Sequence, residues 1–128
     1  MALRVENPIF PPRSNFIAKG QWNDDKKQDQ IAANATRTTT GSTNLHTVTT
    51  GKVFFLTQLV LREAGGGYNI TVDTTNLGTI FGTRSTAAGV STHNFYPAIK
   101  LEAGDIISFT INANNTTIVT ILGMEESP

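Results

Sequence analysis

The sequence predicts an all-β fold, an antiparallel β-sandwich over residues 46–128 preceded by an extended N-terminal arm over residues 1–45. Three observations carry this. From His46 onward apolar and polar residues alternate with period two, the signature of half-buried strands. Clusters of Gly, Asn, Asp and Thr punctuate the text about every eight to twelve residues, the spacing of turns in a sandwich. No segment after residue 45 has the pattern of a long helix, so a parallel sheet with helical crossovers is excluded.

The arm comes first. In "NPIFPPRSNF" the prolines Pro8, Pro11 and Pro12 forbid a regular hydrogen-bonded ladder. The stretch "DDKKQDQIAANA" is compatible with a short helix capped by Asn23 or Asp24, with Ile31 and a few alanines as its buried face. Phe10, Phe16, Ile17 and Trp22 set the arm apart from a solvated linker, which rarely carries so many large apolar groups. A docking arm is expected.

The strands follow in order: "LHTVTT", "KVFFLTQLVLR", "YNITVD", "GTIFGT", "STHNFYPAIKL", "IISFTINAN" and "TTIVTILGMEE". In the third, Tyr68, Ile70 and Val72 share one face and Asn69, Thr71 and Asp73 the other. In the sixth, Ile107, Phe109 and Ile111 point one way and Ser108, Thr110 and Asn112 the other. The turns are "TTGK", "AGGGY", "TTNLG", "TAAG", "EAGD" and "NANN", and Gly104 is expected at positive φ. The second strand is different. Simple alternation puts Phe55, Leu59 and Leu61 on one face and Phe54, Leu56 and Val60 on the other, so both faces are apolar. Each such side chain left in water forgoes roughly 1.5 to 3 kcal/mol of burial. Either the arm covers the second face, or a second copy of the chain does; in the latter case Phe54, Leu56 and Val60 form a subunit interface.

Composition narrows the function. The 128 residues carry no cysteine and a formal net charge of zero, which excludes disulfides, thiolate metal sites and a field that gathers nucleic acid or an anionic membrane. Residues 1–45 hold six Lys/Arg against four acids and residues 46–128 four against six, a bias too small to be a nucleic-acid signature. No apolar run approaches the roughly 20 residues of a membrane span, and "MALRVENPIFPPRSNF" lacks the unbroken apolar core of a secretory signal. His46 and His93 have no His or Glu at metal-ligand spacing, and no serine sits in a Gly-x-Ser-x-Gly elbow. "EAGGGYN" lacks the lysine and helix of a phosphate loop. The acids of "LEAGD" solvate a turn, and the aromatics Phe95 and Tyr96 pack in a core more readily than they stack on sugars or bases. No catalytic residue, cofactor or metal is expected.

The segments "HTVTTGKVFFLTQLVLRE", "YNITVDTTNLGTIFGT", "VSTHNFYPAIKLEAGDIISFTI" and "TTIVTILGMEE" together resemble the small jelly-roll structural proteins of tailed phages and related viruses, over Leu45 to Glu126. The resemblance implies a single jelly-roll-like sandwich and a virion structural role: a capsid decoration (cement) protein on the capsid exterior, commonly a trimer, bound to the major capsid protein of the same virus. On that reading the arm supplies apolar plugs at Phe10, Phe16, Ile17 and Trp22, and Arg4, Arg13 and Lys19 steer it toward acidic coat surfaces. Two alternatives belong to other classes. A receptor-binding module of a tail or head spike would place its contacts with a host surface receptor in loops such as 64–68, 83–92 and 112–117. A carbohydrate-binding or hydrolytic domain is disfavoured by the scarcity of paired acids on strand faces.

Overall fold

A computed structural model describes residues 28–127. The described residues form eight strands: β1 (Gln28–Arg37), β2 (Gly41–Thr47), β3 (Val53–Ala64), β4 (Tyr68–Thr74), β5 (Gly78–Ser85), β6 (Ala88–Leu101), β7 (Ile106–Ile111) and β8 (Thr117–Glu126). They form two four-stranded sheets, ordered β1-β8-β3-β6 and β2-β7-β4-β5, with every neighbouring pair antiparallel. The pairing is nested. β4 pairs with β5, β3 with β6, β2 with β7 and β1 with β8, so the chain is one long hairpin folded over on itself. Only the β4–β5 turn stays within a sheet, and each other connection crosses the sandwich. That is jelly-roll topology.

Among the described residues strands are present from Gln28 on, ahead of residue 46. Residues 28–45, expected in the arm, contribute all of β1 and most of β2. The expected helix is likewise a strand from Gln28 on. Ile31, Ala33 and Ala35 alternate inward against the core, and ten successive residues pair with β8. Short-range helix propensity is a matter of tenths of a kcal/mol per residue, and a full ladder of partners overrides it.

The core lies between the sheets. Phe54, Leu56, Leu59, Leu61, Val119 and Ile121 from one sheet meet Tyr68, Ile70, Val72, Ile107, Phe109 and Ile111 from the other, all essentially inaccessible to water. Polar side chains close the two ends. At one, the Tyr68 hydroxyl lies 2.7 Å from Thr117 Oγ1 and accepts the Ala64 N–H at 3.2 Å. At the other, His46 of β2 reaches Glu125 of β8. The turn before β7 is the expected tight one: Gly104 has φ 87°, and its N–H donates to the Val48 carbonyl at 2.9 Å.

Candidate assembly surface

The twofold greasiness of β3 resolves at one residue. The register of β3 shifts against both neighbours between Leu56 and Gln58, so Thr57 is an extra, exposed residue in a β-bulge. A bulge reverses the parity of everything beyond it. Phe54 and Leu56 before it and Leu59 and Leu61 after it therefore all face the core, while Phe55, Gln58 and Val60 share the outside. This corrects the expected faces. Phe54 and Leu56 are fully buried within the chain and cannot form a subunit interface; of that trio only Val60 remains on the outer face.

The outer face of β1-β8-β3-β6 can be read in four cross-strand rows from its register. They are Gln30–Met124–Phe55–Lys100, Ala32–Leu122–Gln58–Asn94, Asn34–Thr120–Val60–Thr92 and Thr36–Ile118–Arg62–Val90. Seven of these sixteen side chains are apolar and the charged ones are Arg62 and Lys100; the end row beyond Gln30 adds the Glu126 carboxylate, which accepts from Gln28 Nε2 at 2.7 Å. Hydrogen bonds tie the polar members to one another: Asn34 Nδ2 donates to Thr120 Oγ1 at 3.1 Å and Gln58 Nε2 to Asn94 Oδ1 at 2.9 Å. Two depressions mark the face. One, of about 340 Å³, lies beside the bulge and is lined by Gln30, Thr57, Gln58, Asn94, Leu122, Gly123 and Met124. The other, of about 290 Å³, lies at the far end among Asn34, Val60, Arg62, Val90, Ile118 and Thr120. The described residues form only the two layers of the sandwich, so no third layer of them covers this face.

The opposite sheet is different in kind. Its outer face carries Ser42, Asn44, Asn69, Thr71, Asp73, Thr79, Ser108 and Thr110. The Asp73 carboxylate accepts from Thr71, Thr79 and Thr110 at 3.2, 2.6 and 3.3 Å, and Thr110 meets Ser42 at 2.6 Å. Such a face is satisfied in water. The apolar face is the one with something to gain from a partner.

The arm residues Arg4, Phe10, Arg13, Phe16, Ile17, Lys19 and Trp22 lie outside the described residues. His46 and His93 sit at half-buried positions in bonded surroundings. His93 packs on Phe81, centroids 4.5 Å apart, and meets Ser91 Oγ at 3.1 Å. Among the described residues no three His, Cys, Asp or Glu side chains gather as metal ligands. Tyr96, expected in the core, is 98% exposed on the edge strand β6. Ile118, Leu122, Met124 and Val90 are further members of the apolar face that the sequence does not single out. The signal was there for β8: in "TTIVTILGMEE" both parities are apolar, as in β3.

No family profile and no curated protein matches the chain. Solved structures do match it in three dimensions. A chain of the acidic stable capsid structure of Helicobacter pylori bacteriophage KHP30 aligns over 77% of this chain and 92% of its own, at 14% identity and a TM-score of 0.57. A chain of the cyanophage Pam1 capsid asymmetric unit aligns over 91% and 95%, at 9% identity and a TM-score of 0.52. The chain has the jelly-roll fold found in these two phage capsids. A subunit of Bacillus endospore appendages, described as disulfide-linked pili, aligns over 89% and 98%, at 8% identity and a TM-score of 0.50. At these identities the likeness is one of fold, and the fold serves more than one kind of assembly.

Proposed function

We propose that this chain is a virion structural protein of the decoration (cement) type, a non-catalytic trimer on the capsid exterior that clamps neighbouring copies of the major capsid protein. The observation that carries the reading is the contrast between the two outer faces: one almost wholly polar and hydrogen-bonded to itself, the other with seven apolar side chains among sixteen and uncovered by described residues. The fold shared with chains of two phage capsids is consistent with it. The arm provides the grip on the coat. Phe10, Phe16 and Ile17 act as plugs in joints between coat subunits, and Arg4, Arg13 and Lys19 steer the approach. Three arms on one trimer raise one another's effective concentration, so modest single contacts sum to firm attachment.

A threefold arrangement demands a heterologous contact, in which the apolar face of one copy meets a different patch of the next. Val60, Val90 and Ile118, around the far depression, offer the face. Tyr96 and Leu77, 98% and 56% exposed, offer the complementary apolar groups.

Removal of residues 1–22 tests the grip. The truncation leaves all eight strands intact, so a folded β domain that no longer co-sediments with coat particles is the expected result. Undiminished co-sedimentation overturns the assignment of the arm.

A further inference from the structure

The depression beside the bulge is the larger of the two on the apolar face, and its position relative to the chain points to an occupant. It opens at Gln30, the third residue of β1, and its floor is Leu122, Gly123 and Met124 of the neighbouring strand β8. Its volume, about 340 Å³, is at the small end of cavities that take ring-shaped ligands. Its lining mixes two large apolar side chains with the amides of Gln30, Gln58 and Asn94. An indole wants that combination: apolar walls for the rings, a thioether at the ring edge, and an amide oxygen for its one N–H. Gln58 spends its amide nitrogen on Asn94, which leaves its oxygen as an acceptor.

The chain has a single tryptophan, and it stands six residues before β1 begins. Six residues span at most about 20 Å, enough to reach back over two strands spaced about 4.8 Å apart but not enough to reach the far depression and a partner freely. Reaching back requires a reversal, and the intervening Asn23, Asp24 and Asp25 are turn formers.

We infer that Trp22 of the same chain seats in the depression lined by Gln30, Gln58, Asn94, Leu122 and Met124, fixing the point from which the rest of the arm departs. Trp22 is thereby an anchor on the chain's own sheet and not a plug in the coat. The far depression around Val60 and Val90 is left open for assembly. The inference is independent of the decoration reading, because it is tested in the isolated chain with no particle present.

Since Trp22 is the only tryptophan, the emission of the full chain reports on it alone. The expected result is emission at shorter wavelength than a water-exposed indole, with protection from acrylamide quenching, at dilutions where the chain is monomeric. Leu122→Asp and the more exposed Ala32→Glu, each with a wild-type far-UV spectrum, shift the emission to the solvent value and remove the protection. Val90→Asp, at the far end of the face, changes neither. Solvent-like emission in the wild-type chain overturns the inference. So do blue-shifted emission that survives Ala32→Glu, protection that fades on dilution, which would assign the site to a second copy, and an equal response to Val90→Asp.

Discussion

His46 Nε2 lies 2.7 Å from Glu125 Oε2, and this contact joins the two sheets at the end where the chain leaves β2 for β3. Glu125 is 3% exposed at the inner face of β8, and it also accepts the Thr49 N–H at 3.1 Å. The imidazole stacks at a tilt on Phe54, centroids 5.1 Å apart, so the polar contact is continuous with the core.

Burial alone would raise the pKa of Glu125, but hydrogen bonds from Thr49 and His46, together with the charge of the imidazole, outweigh it and hold the carboxyl below its ordinary 4.5. A carboxyl depressed on folding stabilises the fold above its unfolded pKa, and that contribution is lost as pH falls through the folded value. Thermal unfolding followed across pH is expected to show wild-type stability falling away below 4.5. Glu125→Gln lowers stability near neutrality by about 1.5 to 3 kcal/mol, the range for hydrogen bonds to a charged group, and narrows its deficit from wild type below that pH. A deficit that stays constant from neutrality into acid would show that the carboxylate's charge does not matter at this site.

Gly123 is a second point where one atom decides. It sits on the inner face of β8 opposite Leu56, and a Cβ there would fall on the Phe55 carbonyl oxygen and the Phe54 ring. The obstruction includes backbone, which cannot rotate away. Gly123→Ala is expected to cost about 1 to 3 kcal/mol by overpacking, read from a denaturant midpoint. Gly82→Ala, in β5, meets only a Thr71 methyl at 3.9 Å and is expected to be neutral or slightly stabilising. Equal midpoints for the two variants would mean that β3 and β8 are free to separate here.

The difference between the two glycines also marks what the sequence could and could not tell. The strands with clean alternation, β4 and β7, are legible because the period of the text is the period of the pleat: Ile70, Val72, Ile107 and Phe109 face inward as read. β1 is illegible because its inward residues are one isoleucine and two alanines, small groups equally at home on a helix; its identity as a strand comes from β8, some ninety residues away. The faces of β3 differ from simple alternation because a bulge is invisible in a hydrophobic run. Nothing local distinguishes Thr57 as the extra residue; the register of two partner strands does. The candidate assembly surface is half legible for the same reason. That some second apolar face exists follows from "FFLTQLVL" and "TIVTILGM", but which side chains compose it depends on the bulge.

The remaining prediction concerns that face. Val90 is 57% exposed at its far corner, in one row with Ile118 and Arg62, and a charge placed there touches no buried group. Val90→Asp is therefore expected to leave the unfolding free energy within about 0.5 kcal/mol of wild type. Its effect should appear in association. A carboxylate at this corner, even beside Arg62, would lose water if a neighbouring copy covered the face, at a cost of about a few kcal/mol, enough to convert the proposed trimer to monomers in sedimentation at micromolar concentration. Tyr96→Ala, which removes the most exposed aromatic on the edge strand, should weaken the proposed trimer from the other side of the proposed contact. Asn44→Asp is the matched control: it adds the same charge to the outer face of the opposite sheet, already rich in hydroxyls and amides, and should sediment as wild type. If all three variants sediment alike, the asymmetry between the two outer faces has no part in assembly. If Asn44→Asp alone dissociates the trimer, the polar sheet is the interface and the apolar one needs another explanation.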